Sequence, residues 1–409
     1  MKPKSPFLAL KISHFRNYLF GAFISEIGNQ MQTVAIAWQV YEMTRNPASL
    51  GLIGLANFLP ILFFSLIGGL AADKLDRKKL LLVSQSAQAI FAFVLFVLTL
   101  YHLINPVMIY SLLVLISIAG SFSIPARQSV MPNLVPREYF LNAISLGSLQ
   151  FQGAIMIGPA IAGFLIAGFG VQAVYLINAL SFLIFIISIV KIRVPLNVHN
   201  KDIELNLASI KDGVKFVVTT PILYTTMILD FLATFFGTAT ILMPVFAKDV
   251  LHVGPQGLGL LYSAPAIGGI IAGLLLSSVH RIENQGRVII FSVILYGAAT
   301  IGFGLSKILS LSLLFLVLVG FGDLMSTIIR NTIRQIVTPD HLRGRMSSVM
   351  RIFFQGGPQL GEMEAGFLAA LVGGPISVVV GGMGTILITS LVAYLSPHLR
   401  DFHGKELAV

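Results

Sequence analysis

Ionisable and amide side chains recur inside stretches that are otherwise apolar, and at these positions the chain could do chemistry. Glu26 lies ten residues beyond Arg16 and shares one helical face with Asn29, Gln30 and Thr33, at i, i+3, i+4 and i+7. Asp230 aligns in the same way with Thr234 and Thr238. Asp323 aligns with Ser326, Thr327 and Arg330, and Arg351 with Gln355, Gln359 and Glu362, while Glu364 falls on a different face. A charge held at membrane depth costs about 2.5–3.5 kcal/mol on insertion scales, so such residues face protein or water and mark ion or substrate paths. A carboxylate stripped of water holds its proton more tightly and can exchange it near neutral pH. One or more of Glu26, Asp230, Asp323 and Glu362 are therefore expected to couple proton entry to the exit of a small molecule. The plainer reading is structural ion pairing, which Asp323 and Arg330 could make across two turns of one helix.

Other chemistries lack their parts. The chain has no cysteine, which excludes disulfides, thiolate metal sites and cysteine nucleophiles. Its eight histidines, from His14 to His403, fall in connectors or near the ends of apolar runs. No His-Glu-x-x-His metal motif and no Gly-Lys-Ser/Thr phosphate loop occurs. No enzyme activity, cofactor or bound metal is expected.

These positions must be carried by membrane-spanning helices. Of 409 residues 56% are hydrophobic and 11% charged, and the mean hydropathy is +0.88. A water-soluble exterior needs about 25% charged residues. The net charge of +10 could suggest nucleic acid, but the basic residues sit in short connectors and form no single stripe, so no nucleic-acid partner is expected. The first sixteen residues carry Lys2, Lys4, Lys11 and Arg16 with no cleavable apolar core after them, so no removable signal peptide is expected.

A helix crosses the bilayer with about 20 apolar residues. The apolar runs give twelve spans, near 17–42, 50–72, 80–101, 107–127, 141–167, 173–191, 221–247, 257–279, 288–306, 310–333, 346–371 and 376–396. With the N-terminus inside, 24 of the 27 Lys and Arg residues fall on inner connectors, and only Arg45, Lys248 and Lys307 on outer ones. Positive connectors stay in the cytoplasm. The expected placement is thus a multi-pass protein of the cell's inner membrane with both termini cytoplasmic.

The chain also repeats itself. Arg127-Gln128-Ser129-Val130-Met131-Pro132 returns as Arg334-Gln335-Ile336-Val337-Thr338-Pro339, displaced by 207. Gly51-Leu52 returns as Gly257-Leu258, Pro60 as Pro265, and Gly158 and Gly163 as Gly361 and Gly366. Near-constant displacement on equivalent spans argues for a duplicated six-helix unit. An even number of spans per unit makes the repeats parallel. The expected fold is all-α and polytopic, with a bundle at 1–192, a cytoplasmic linker at 193–218, a second bundle at 219–397 and a tail at 398–409.

The loop after the second span reads Gly69-Leu70-Ala71-Ala72-Asp73-Lys74-Leu75-Asp76-Arg77-Lys78-Lys79. It resembles the signature loop between helices 2 and 3 of the major facilitator superfamily, with Asp76 where glycine is usual. Leu59-Pro60, Pro125-Ala126-Arg127-Gln128, Gly158-Pro159 with Gly163, Leu342-Arg343-Gly344-Arg345 and Gln359-Leu360-Gly361-Glu362 extend the likeness over nearly the whole chain. Together they resemble the branch that holds the enterobactin exporter and macrolide efflux proteins. The resemblance implies a major-facilitator fold whose spans 1, 4, 7 and 10 line a central cavity and whose third span in each triplet faces lipid. It implies a cytoplasmic gate at Gly69, Asp73, Arg77 and Arg127, against the plainer reading of basic residues anchoring a loop. In the fifth span, Gly158, Pro159 and Gly163 resemble an antiporter motif, though Ser145 and Ala154 replace its upstream glycines; tight helix packing is the alternative.

The resemblance implies export of a small amphipathic compound of drug, macrolide or siderophore type by alternating access. Protons and membrane lipid are the other expected partners, and the chain is expected to act as a monomer. A lipid scramblase or a non-transporting sensor on the same scaffold is the alternative.

Overall fold

Proline and glycine punctuate the helices. Pro47, Pro106 and Pro221 open helices at their first turn, where the missing N–H costs nothing. Gly170, at φ 79°, joins the fifth helix to the sixth, and Gly373, at φ 89°, joins the eleventh to the twelfth. Both take the left-handed conformation that glycine adopts without a Cβ clash. They stand 203 residues apart, the same spacing as Gly158 and Gly361.

The computed structural model describes residues 8–192, 215–279, 282–339 and 343–403. Among them there is no strand. Twelve long helices follow in order: α1 Ser13–Thr44, α2 Pro47–Lys74, α3 Arg77–Leu100, α4 Pro106–Val130, α5 Phe140–Phe169, α6 Val171–Val190, α7 Pro221–Gly237, α8 Gly254–Ser278, α9 Gln285–Leu305, α10 Leu309–Val337, α11 Arg343–Val372 and α12 Gly374–Leu395. Ten are long and apolar enough to cross a membrane. The other two, α1 and α11, carry the polar stripes of Glu26 and Glu362. The protein is a polytopic all-α membrane protein built from two parallel six-helix repeats.

The repeat is visible in packing. In the first half α1 packs on α5 and α6, and α3 on α4 and α6. In the second, α7 packs on α11 and α12, and α9 on α10 and α12. Buried amides join α1 to α6 and α3: Tyr175 donates to Gln39 at 2.7 Å, Asn178 to Gln32 at 2.8 Å and Gln39 to Thr99 at 3.3 Å. Such bonds hold helices together where hydrophobicity cannot discriminate protein from lipid. Large apolar side chains point outward from α3 (Val83, Ile90), α6 (Leu180, Ile187), α9 (Phe291) and α12 (Leu387, Leu391), and also from α2 (Phe63), α5 (Leu149, Phe164) and α8 (Leu274).

Two compact units result, and neither is continuous in sequence. One takes in Met1–Thr44, Leu59–Ile203 and Gly254–Ser263; the other takes in Arg45–Phe58, Glu204–Val253 and Ala264–Val409. Helix α2 changes unit just before Pro60, and α8 just before Pro265. In the first unit, the opening turns of α8 lie against α5: a Cβ on Gly163 would stand 2.6 Å from the Pro255 carbonyl and 3.0 Å from Gly259 Cα. In the second, the opening turns of α2 lie against α11, where a Cβ on Gly51 would stand 2.8 Å from the Met363 carbonyl.

The seventh span departs from a single straight run over 221–247. It ends as an α-helix at Gly237 and continues as short 3₁₀, α and π turns to Val250. Thr238 leaves the helical region at ψ 97°. Pro244, which has no N–H to give, sits at the start of the next turn.

Candidate functional site

The first unit centres its charge on Arg127. Helix α4 presents its guanidinium to α1, where Nη1 meets Glu26 Oε2 at 3.3 Å. Nη2 donates to Gln85 Oε1 of α3 at 3.2 Å and to Ser25 Oγ at 3.4 Å. The guanidinium carbon lies 4.5 Å from the centre of the Phe185 ring, a cation–π contact from α6. Gln30 Nε2 donates to the other oxygen of Glu26 at 3.2 Å. Asn29 shares the helical face, and its carbonyl accepts from Thr33. The pair is neither sealed nor open, with side-chain exposures of 20% and 15%. The resemblance implied a gate role for Arg127 together with Arg77; its guanidinium pairs with Glu26 of α1, while Arg77 reaches the Ser129 carbonyl two residues further along α4.

The second unit centres its charge on Asp230. Arg330 Nη2 reaches Asp230 Oδ1 at 2.7 Å, and Arg334 Nη2 reaches Oδ2 at 3.3 Å. All three side chains are buried, with exposures between 2% and 8%. Arg334 also donates to the Thr226 carbonyl, and Arg330 to Thr327 Oγ1. Arg330 thus pairs with a neighbouring helix, not with Asp323 on its own. Both carboxylate oxygens are held by arginine in a buried network of the kind that costs much to break.

Asp323 is left apart. It lies at the midpoint of Leu309–Val337, about 21 Å from either end at the helical rise. Its side chain is exposed, and among the described residues no hydrogen bond or ion pair to its carboxylate is found. An ionised group at that depth cannot face acyl chains without a cost of several kcal/mol.

Helix α11 carries the remaining acid. Glu362 Oε1 accepts from Thr240 Oγ1 at 3.4 Å, in the turns that follow α7. Gly54 of α2 packs so close that a Cβ there would stand 2.9 Å from Glu362 Cβ. Gln359 Oε1 is buried and accepts no bond among the described residues. The side chain of Gln355 lies outside the described residues.

The loop after α2 is ordered by Asp76, whose carboxylate accepts from the backbone N–H of Lys78 at 2.9 Å and Lys79 at 3.1 Å and so caps α3. Arg77 donates to the Ala72 carbonyl at 3.2 Å and the Ser129 carbonyl at 3.3 Å, tying the loop to α4. Gly69 has open space around it. The backbone of Asp73 belongs to the last turn of α2, and its side chain lies outside the described residues.

In α5, Gly158 and Gly163 serve different neighbours. A Cβ on Gly158 would stand 2.6 Å from Gln30 Cβ and 3.0 Å from the Ile27 carbonyl of α1, whereas Gly163 meets Gly259 of α8. Pro159 is buried between them, and its carbonyl faces Gly259. The tight face of α5 therefore presses directly on the polar stripe of α1. Sequence reasoning missed Gln85, Ser25 and Thr240; uncharged residues in apolar runs give little signal beyond their polarity.

Mid-span acids set in a duplicated twelve-helix scaffold define a membrane transporter. The chain belongs to the transmembrane secretion effector family of the major facilitator superfamily, whose sequence profile matches residues 4–408. It is 28% identical over 401 residues to the multidrug efflux pump Tap of Mycolicibacterium fortuitum, covering 94% of this chain and 95% of that one. It is 25% identical to the staphyloferrin A transporter of Staphylococcus aureus, over 94% and 96% of the two chains. The enterobactin exporter EntS of Citrobacter koseri is 25% identical, over 95% and 93%. In fold it matches a bacterial homolog of the human lysosomal transporter Spinster, with TM-score 0.75, 15% identity and 98% of each chain covered. The nucleoside transporter NupG matches with TM-score 0.71 and 14% identity, over 95% of this chain and 99% of that one. The relatives are transporters and not enzymes.

Proposed function

We propose that this chain exports a small amphipathic organic compound, of the drug, macrolide or siderophore type, by alternating access driven by proton antiport. The observation that carries the reading is Asp323, an exposed carboxylate at the middle of α10 with no bonded partner among the described residues. Such a group is placed to take a proton from water on one side and give it up on the other. Glu362 is its companion on α11. Glu26 and Asp230, each held by arginine, would respond when a proton or a cationic substrate loosens the pair. The relatives that pump drugs and carry siderophores support the substrate range. Charge asymmetry supports an inner-membrane placement with both termini cytoplasmic, and a working monomer of two bundles, 1–192 and 219–397, fits the repeat. Residues 193–214 of the 193–218 linker and 404–409 of the tail lie outside the described residues.

The test is flux into proteoliposomes holding the purified protein, with and without an imposed pH gradient. A fluorescent cationic drug and a catecholate serve as probes. The expected result is gradient-driven accumulation of a probe, lost in Asp323→Asn and Glu362→Gln. Flux indifferent to the gradient and to Glu26→Gln, Asp230→Asn, Asp323→Asn and Glu362→Gln alike would overturn proton coupling. Lipid movement without a gradient would point to a scramblase, and no movement of any probe to a sensor.

A further inference from the structure

A groove of about 240 Å³ lies on the first unit between α1 and α6, lined by Asn17, Phe20, Ile184, Ile187, Ser188 and Lys191. Its walls are apolar and open: Phe20 is 61% exposed and Ile187 53%. Its floor is set by close approach of the two helices, since a Cβ on Gly21 would stand 2.8 Å from Ser188 Cβ. The Ser188 hydroxyl is already committed to the Ile184 carbonyl at 2.9 Å, so the floor offers no free donor.

One end of the groove is different. Lys191 follows the last turn of α6, where a basic side chain would ordinarily satisfy the helix's final carbonyls. That task is already done by Lys78, whose Nζ donates to the carbonyls of Val190 at 3.0 Å and Ile192 at 2.7 Å. The Lys191 ammonium is thereby left for another partner. It is exposed, and among the described residues no carboxylate pairs with it. Asn17, also exposed, adds an amide at the groove.

In a bilayer the apolar walls face acyl chains, and the polar end sits where the span ends. We propose that the groove binds an anionic phospholipid, with one acyl chain along Phe20, Ile184 and Ile187 and the phosphate on Lys191 and Asn17. The Lys191 ammonium, with no carboxylate beside it among the described residues, favours a headgroup with net negative charge over a zwitterionic one. Basic pockets between transmembrane helices recognise lipid headgroups in this way.

Native mass spectrometry of the full chain in detergent, with equal phosphatidylglycerol and phosphatidylcholine added, tests the proposal. The wild type is expected to retain phosphatidylglycerol over phosphatidylcholine, and Lys191→Gln to cut that preference by about fivefold, the factor that one basic residue near an anionic surface contributes. Ile187→Trp, which fills the groove, is expected to lower retention of both lipids. Asn17→Leu supplies a second headgroup variant should Lys191→Gln fold poorly, with melting temperatures checking each protein. Equal retention of the two lipids by the wild type would overturn the site. So would a preference that survives in the folded headgroup variants.

Discussion

Arg334 on α10 stands 207 residues after Arg127 on α4, and each reaches a carboxylate on the first helix of its own repeat at 3.3 Å, Asp230 in one case and Glu26 in the other. Each half thus joins its fourth helix to its first through an arginine–carboxylate pair, with the two acids 204 residues apart and the two arginines 207. The halves differ in what surrounds that pair. In the first half Gln85, Ser25 and the Phe185 ring also contact the guanidinium. In the second, Arg330 joins at 2.7 Å and the whole group is buried. The position that corresponds to Arg330 in the first half is Ser123, which accepts from Gln85 at 2.6 Å.

That difference sets the order of stability effects. Asp230→Asn leaves two buried arginines without a counter-charge, and breaking a buried pair costs about 3–5 kcal/mol. Glu26→Gln leaves a partly buried Arg127 that keeps Gln85, Ser25 and Phe185. Melting in detergent should therefore fall much further for Asp230→Asn than for Glu26→Gln. Arg334→Leu should lie between them, because Arg330 still holds Asp230. Equal shifts for the two acid variants would mean that the networks are not unequal in burial.

Arg127→Lys tests geometry at constant charge. The guanidinium serves Glu26, Gln85 and Ser25 from one plane and lies over a ring; an ammonium is a point charge and cannot meet that set. Transport in proteoliposomes should drop by about tenfold, one lost charge-assisted bond at about 1.5 kcal/mol, while the melting temperature moves little. Wild-type flux in this variant would show that charge alone suffices at α4.

Much of this was legible in sequence, and the losses have physical causes. Period and composition placed the spans to within a few residues: the fourth was expected at 107–127 and runs Pro106–Val130. The seventh was expected to be unbroken to 247, yet its α-helix stops at Gly237. Apolarity measures burial in lipid, not helix continuity, so the break gave little signal. Glu26 and Asp230 stood out as acids in apolar runs. Their partners lie about a hundred residues away on other helices, and no periodicity connects residues across a crossing. Arg127 was therefore assigned to the gate on resemblance alone, and the pairing weighed for Arg330 was with the acid on its own helix. The repeat held part of the clue, since Arg127 and Arg334 match at a displacement of 207.

Of the prolines inside helices, Pro60 and Pro265 sit where a helix changes unit. Helices α2 and α8 each pass from one compact unit to the other beside a proline, Pro60 or Pro265. Proline removes one helical hydrogen bond and lets the axis bend. Pro60→Ala and Pro265→Ala restore the bond and stiffen the helix. The expected outcome is an unchanged or raised melting temperature with a slower transport rate, and a larger loss in the double variant. Unaltered rates in the double variant would remove the hinge role.

Sidedness is open to a direct test because the chain has no cysteine of its own. Single variants Arg45→Cys and Lys307→Cys should react with an impermeant maleimide in intact cells. Lys79→Cys and Asp401→Cys should react only after the membrane is opened. Charge bias orients the whole bundle, so a reversed result at either pair would invert every assignment of inner and outer face.

The glycine contact between α5 and α8 yields the sharpest steric expectation. At Gly163 an added Cβ meets backbone atoms, the Pro255 carbonyl at 2.6 Å and Gly259 Cα at 3.0 Å, and at Gly259 it meets the Pro159 carbonyl at 2.6 Å. Backbone cannot step aside as a flexible side chain would, so Gly163→Val or Gly259→Val must push the helices apart. Overpacking of this kind costs about 1–3 kcal/mol where the structure stays closed. Gly168, with nothing near it, should accept valine as a control on the same helix. Loss of transport and of thermal stability at Gly163 and Gly259 together, with Gly168→Val near wild type, is the expected pattern. Tolerance at all three positions would mean that α5 and α8 do not pack through these glycines in the membrane.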